Sequence, residues 1–251
     1  SNNMCGIAGF VDKTIKNKEK VIKDMAERIK YRGPDGEGYF IDDDVALAHR
    51  RLAIIDLSSG GQPQYNEDKS LVIVFNGEIY NFVELKSELK KSGHKFTNKS
   101  DTEVIIHGYE QWGTDVTKHL RGMFAFAIWD TKQKTLFMAR DGFGIKPLYY
   151  AKFGSSFMFA SEIKAFLDHP KFKKELNKEI LSSYLCFNST PTEETFFKGV
   201  YRVEPGYQIL YKDGKINKTQ FFKLEFDEKD EDMDTIINKI RKAMDNSVKY
   251  H

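Results

Sequence analysis

Cys5 is the residue with the most reactive side chain in a telling position. It follows Met4, which reads as the natural initiator, and Ser1-Asn2-Asn3 before it reads as a cloning scar. An initiator Met ahead of a small residue is normally removed, so Cys5 is expected to begin the mature chain. A terminal Cys joins a thiol to a free α-amine, whose reference pKa of ~7.7–8.0 suits base work near neutral pH. Nucleophile and base then share one residue, an arrangement for attack on an amide carbonyl. While residues 1–4 remain attached, the Cys5 nitrogen is a non-basic amide. The chain as written is therefore expected to have little activity.

A cysteine hydrolase of amides also needs an oxyanion hole and groups that hold its substrate. Asn76 and Gly77 follow the apolar run Leu71–Phe75. The Asn76 side-chain amide and the Gly77 N–H could face a developing oxyanion, although Asn-Gly after a strand also reads as a turn. Arg50 and Arg51 lie between an apolar strand and an apolar segment, and one guanidinium could clamp a carboxylate. A pair of solvated charges is the plainer reading. Ser100-Asp101-Thr102-Glu103 resembles a helix N-cap; an Asp there could also bind an ammonium group. His49 reads as a structural imidazole. The six His show no metal-ligand spacing with Cys or carboxylates, so no metal site is expected. No Walker-type loop occurs, and Asp141–Lys146 reads as a glycine-containing loop before a strand.

The elements that must position these residues follow from periodicity. Cys5–Val11 reads as a strand and Glu19–Lys30 as an amphipathic helix. Arg32-Gly33-Pro34-Asp35-Gly36 is a loop. Strands are expected at Val45–Arg50 and Leu71–Phe75, and helices at Phe82–Ser92 and Thr102–Trp112. Three hairpins follow: Gly122–Trp129 with Thr135–Ala139, Leu148–Ala151 with Phe157–Ala160, and Gly206–Tyr211 with Lys215–Phe221. Hairpins with helices grouped between them point to an α+β domain.

Composition sets the bounds. The 251 residues allow one large domain or two small ones and a sizeable core without disulfides. The 39 basic and 37 acidic side chains leave a formal charge of +2, without the basic excess of a nucleic-acid binder. No apolar stretch approaches the ~20 residues that cross a bilayer, so no membrane partner is expected. Two cysteines, Cys5 and Cys186, do not make a secreted scaffold; reduced thiols and a cytoplasmic location are the expectation. Cys186 reads as a packed thiol. Asp227–Asp234 holds six acidic side chains and reads as a solvated linker. Beyond it Ile237, Ile240, Met244 and Val248 recur at helical spacing. That stripe reads as the first helix of a further domain, or as a face buried in a homodimer.

Taken together, these segments resemble the glutamine amidotransferase domain of glutamine-dependent asparagine synthetases. The matching runs are Met4–Gly9, Arg32–Gly36, Arg51–Asp56, Phe75–Asn81, Ser100–Glu103, Arg140-Asp141 with Gly144–Tyr150, and Ala160–Ala165. The likeness runs in order from Cys5 to about Phe222 and implies an N-terminal-nucleophile hydrolase fold. In that fold antiparallel β-sheets are sandwiched between α-helices as αββα. It implies hydrolysis of L-glutamine by Cys5 through a thioester, with Asn76 and Gly77 holding the oxyanion. Arg51 would hold the substrate α-carboxylate, and Asp101 with Glu78 its α-amino group. Backbone groups of Leu52, Ala53, Ile54, Ile55 and Gly77 would line the site.

The domain expected is 5–224, with 225–251 as linker and first helix of an ATP-dependent synthetase domain. That second domain would bind ATP, Mg and aspartate and receive the ammonia; its pyrophosphate loop is not found here. The amidotransferase domain itself needs no cofactor in this reading. Three alternatives stand beside it. The second domain could aminate another acid in cell-surface sugar or secondary metabolism. The chain could be a non-catalytic module that kept the fold, or it could hydrolyse a different amide. Arg51 with Asp101 suits an α-amino acid and speaks against the last.

Overall fold

A computed structural model describes residues 4–52, 61–187, 192–225 and 232–250. The chain begins with β1 (Gly6–Val11), α1 (Lys18–Arg28), β2 (Gly36–Ile41) and β3 (Val45–Arg51). A short β4 (Gln64–Tyr65) precedes β5 (Leu71–Ile79), and α2 (Phe82–Lys91), α3 (Thr102–Trp112) and α4 (Val116–His119) follow. The hairpins come next: β6 (Gly122–Asp130) with β7 (Thr135–Arg140), then β8 (Tyr149–Phe153) with β9 (Ser156–Ala160). After α5 (Lys178–Phe187) come β10 (Val200–Arg202), β11 (Tyr207–Lys212), β12 (Lys215–Gln220) and α6 (Met233–Tyr250).

The strands form two six-stranded sheets, ordered β10-β8-β9-β1-β3-β2 and β12-β11-β7-β6-β5-β4. Neighbouring strands pair antiparallel throughout. Apolar residues on both faces of the central strands decide the layering, because alternate side chains point to opposite faces. Ile7, Val45 and Leu47 meet Val72, Val74, Ala127 and Trp129 between the sheets. Ala8, Phe10, Ala46 and Ala48 face the other way and take Ile22, Met25 and Ile29 of α1 and its C-terminal turn. Ile73, Phe75, Phe126 and Ile128 face Leu85, Leu89, Val104 and Ile105 of α2 and α3. The result is the α+β, αββα sandwich expected from the sequence.

Three details depart from expectation. β5 continues through Asn76-Gly77-Glu78 to Ile79, where a turn was one reading. Pairing with β6 persists to Ile79↔Gly122 and carries the Asn-Gly dipeptide as strand. Gly36–Ile41, adjacent to the Arg-Gly-Pro-Asp loop, is an edge strand; its glycines and lack of strict alternation hid it. Cys186 is exposed on α5, so the expected packed thiol is corrected: Ile180 of the same helix is buried instead. The helix expected after the acidic run begins at Met233, and its stripe of Ile237, Ile240, Met244 and Val248 is exposed. Among the described residues, no helix is long and apolar enough to cross a membrane.

Candidate active site

Cys5 immediately precedes β1, and its side chain shares the inter-sheet direction of Ile7 by strand alternation. Leu52, just past the end of β3, donates its N–H to Cys5 Sγ at 3.4 Å. The thiol therefore rests on the start of the Leu52–Ile55 segment; Ala53, Ile54 and Ile55 lie outside the described residues. Ile7 N–H donates to the Ser161 hydroxyl at 3.0 Å, and Ser161 N–H donates to Ile7 O at 2.9 Å. These bonds fix the strand that follows the nucleophile.

Consecutive residues on β3 divide the two arginines between faces. Arg50 turns toward α1, where Nε donates to Ala26 O at 3.1 Å and the guanidinium pairs with Glu27 and Glu37. It is buried and structural. Arg51 projects to the opposite face, the side of Cys5. Gly33 brings the preceding loop against this corner, since a Cβ there would lie 2.5 Å from the Arg50 carbonyl. Asp35 N–H then donates to Arg51 O at 3.0 Å. His49, on the inter-sheet face, donates from Nε2 to Phe75 O at 3.1 Å. Burial drops its pKa to about 4, so it is a neutral structural imidazole, as its sequence context suggested.

β5 supplies the rest. Asn76 shares the inter-sheet face of Val72 and Val74, and its side-chain Nδ2 is buried with no hydrogen-bond partner among the described residues. A buried donor left unpaired costs roughly 1–3 kcal/mol and calls for an explanation. The strand's outer edge is equally informative. Phe75 N–H and C=O are both taken by the Gln62 side-chain amide, at 2.6 and 3.0 Å. Ile79 N–H donates to Asp101 Oδ2 at 2.8 Å. Residues i and i+2 present their backbone groups to the same edge, so Gly77 N–H points to the gap between Gln62 and Asp101. A Cβ on Gly77 would sit 2.1 Å from Met123 O, which makes glycine obligatory there.

Asp101 stands at the N-cap position of α3 yet makes no capping bond. Its carboxylate reaches to β5 instead, beside Glu78. Burial raises its pKa to about 6, the Ile79 N–H pulls it down, and Glu78 adds to the rise.

Sequence reasoning passed over four residues here. Gln62 acts as a surrogate strand for Phe75. Arg32 donates from Nε to Cys5 O at 3.2 Å and from Nη1 to Glu162 at 2.7 Å, while its buried Nη2 has no partner among the described residues. Glu162, in the Ala160–Ala165 run, therefore anchors the residue that anchors Cys5. Lys146 is buried and reaches Met4 Sδ at 3.0 Å. Burial, reinforced by Arg32, lowers its pKa, and the Cys5 thiol, Asp141 and Glu78 oppose that fall. The Asp141–Lys146 loop is bound tightly: Asp141 accepts from the N–H groups of Phe143, Ile145 and Lys146. Arg140 donates to the carbonyls of Gly144, Lys146 and Val203. Only the order of charged residues in that loop could have signalled this from sequence.

A thiol ahead of the first strand, a buried amide and a glycine on a strand of the other sheet, and an acid at a helix start form one recognisable arrangement. A family model of the glutamine amidotransferase domain matches residues 4–222. The chain belongs to this family. Asparagine synthetase [glutamine-hydrolyzing] 1 of Bacillus subtilis is 41% identical over 253 aligned residues, covering 99% of this chain and 40% of that protein. Asparagine synthetase [glutamine-hydrolyzing] 3 of the same organism is 37% identical over 98% of this chain and 41% of its own length. The chain thus spans about two fifths of these relatives. Among solved structures, a glutamine phosphoribosylpyrophosphate amidotransferase from B. subtilis, complexed with ADP and GMP, superposes with a TM-score of 0.65. It is 20% identical and is covered over 87% of this chain and 49% of its own. That likeness is one of fold and agrees with the N-terminal-nucleophile sandwich. The matched residues run through both sheets and end before α6.

Proposed function

We propose that this domain hydrolyses L-glutamine to L-glutamate and ammonia with Cys5 as nucleophile. The Cys5 sulfur attacks the side-chain carboxamide carbon, and its proton passes to the α-amine of Cys5 once residues 1–4 are gone. Asn76 Nδ2 and Gly77 N–H are the donors that receive the oxyanion. The amine returns the proton to the leaving nitrogen, ammonia departs, and a thioester remains. Water, activated by the same amine, cleaves the thioester and releases glutamate. Arg51 holds the substrate α-carboxylate through charge-assisted hydrogen bonds, Asp101 and Glu78 hold its ammonium, and the Leu52–Ile55 backbone lines the site. The carrying observation is the buried Asn76 Nδ2, without a partner among the described residues, on the inter-sheet face that Cys5 also addresses.

The test is glutamate release by protein that begins exactly at Cys5, with Cys5→Ala as control. Turnover by the first and none by the second supports the reading; equal rates sink it. We further propose that residues 225–251 lead into a synthetase domain that uses ATP and Mg to activate aspartate in the cytoplasm. The names of the relatives and the short share of their length spanned here support that reading. Glutamine-dependent asparagine formation by a full-length protein is its test, and amination of a different acid would redirect it.

A further inference from the structure

The sequence spacing of His94, His107 and Glu110 suggested no metal ligands, yet folding brings them together. One ligand atom from each of His94, His107 and Glu110 lies within 4.8 Å of the other two. Glu110 Oε2 is 3.1 Å from His107 Nδ1 and 3.5 Å from His94 Nδ1. A tetrahedral zinc ion with bonds of ~2.0–2.1 Å separates its ligand atoms by about 3.3 Å, so two of the three separations already match. His107 and Glu110 are three residues apart on α3 and therefore share a face.

The surroundings prepare both imidazoles. His94 Nε2 donates to Gln111 Oε1 at 2.9 Å, which leaves the Nδ1 lone pair toward Glu110. His107 Nε2 lies 3.5 Å from the buried Glu103 carboxylate. That carboxylate is itself fixed by the N–H groups of Thr97 and Asn98, at 2.7 and 3.0 Å. Carboxylate or amide partners on the far ring nitrogen are the usual outer shell of metal-binding histidines. The backbone is equally set. Gly93 and His94 close α2 in a Schellman motif, with Gly93 N–H on Lys90 O at 3.0 Å and His94 N–H on Leu89 O at 3.1 Å. Asn66 Nδ2 holds the other oxygen of Glu110 at 2.7 Å. Glu67 stands 3.8 Å from His107 Nδ1 and offers a fourth ligand.

We infer that His94, His107 and Glu110 bind one divalent cation of the zinc class, clipping the end of α2 to α3 on the outer layer. Two imidazoles and a carboxylate suit zinc, cobalt or nickel rather than calcium or magnesium. The site is independent of the glutamine reaction and of whether that reading holds.

The experiment titrates Zn2+ into chelator-stripped full chain by calorimetry, in a Cys5→Ala, Cys186→Ala background that removes competing thiols. One equivalent is expected to bind. His94→Ala and Glu110→Gln should each weaken binding at least tenfold, and Gln111→Ala by a smaller factor. Bound Co2+ should give d–d bands of a tetrahedral site. Circular dichroism without metal verifies each fold. His94 is partly exposed in a loop, so His94→Ala carries the test if Glu110→Gln fails to fold. Absence of saturable binding in the parent, or binding that His94→Ala leaves unchanged, overturns the proposal.

Discussion

The two ends of β1 treat buried polar groups in opposite ways. Past its C-terminal end, Asp12 is buried and saturated. Thr14 donates its N–H and hydroxyl at 2.8 and 2.7 Å, Ser155 and Ser156 donate their hydroxyls, and Lys171 Nζ lies at 2.7 Å. Burial alone would raise its pKa, but these donors, Lys171 first, hold the carboxyl well below the usual range. At the N-terminal end Cys5 is flanked by Arg32 and faces the side of Asn76, whose buried Nη2 and Nδ2 have no partner among the described residues. A structural end completes its hydrogen bonds during folding. In the proposed reaction the other end keeps donors for a charge that exists only during turnover, and the rest of the fold must bear the cost.

The largest expected effect tests the reactive end directly. Protein starting at Cys5 should turn over glutamine ~10²–10⁴ faster than the chain carrying residues 1–4, the usual worth of a general base. Equal kcat values would remove the free amine from the mechanism. Next, Asn76→Ala should lower kcat by ~10²–10³ without lowering the thermal midpoint, because the deleted donor has no partner among the described residues. A rate within a few-fold of the parent would show that Asn76 is not an oxyanion donor.

The saturated end should give the mirror image. Asp12→Ala is expected to cost about 3 kcal/mol in denaturant unfolding, near the low end for a broken buried pair because Lys171 is one-third exposed. Its KM for glutamine should stay that of the parent. A shift in KM larger than the loss of stability would erase the contrast between the two ends.

The smallest effect is a pH dependence at Asp101. With its pKa near 6, the carboxylate proposed to pair with the substrate ammonium is mostly ionised at pH 7 and mostly protonated at pH 5. KM for glutamine should rise about tenfold across that interval, and Asp101→Asn should flatten this limb. Linkage gives the matching sign for stability. The folded carboxyl binds its proton more tightly than the unfolded chain, so its contribution falls as pH rises from about 4 to 6. At pH 7 Asp101→Asn should therefore be more stable than the parent in denaturant unfolding, by up to about 3 kcal/mol. A destabilised Asn variant would contradict the buried, disfavoured charge.

Much of this was readable in the chain. The hairpins, α3 and the strand leading to Asn76 follow from alternation and turn chemistry, which are local. The ordered motifs named Cys5, Arg51, Asn76, Gly77, Glu78 and Asp101 as a set. Local pattern could not tell Arg50 from Arg51, because only the location of α1 decides which face is structural. The Asn-Gly step was ambiguous for the same reason: pairing with β6 overrides its turn preference. Asp101 carried an N-cap signature, and the edge of β5 drew its carboxylate away.

The sequence by itself determined the kinds of chemistry present: a thiol ahead of an apolar strand, an amide and a glycine after a buried strand, and an acid where a helix begins. Tertiary structure alone decided which donors stay unpaired and which carboxylates are saturated. It also decided that His94 and His107, 13 residues apart in sequence, face one carboxylate. The reason is physical. Propensity and periodicity act over a few neighbouring residues, whereas hydrogen-bond satisfaction and desolvation depend on every group that the sheets and helices bring within reach.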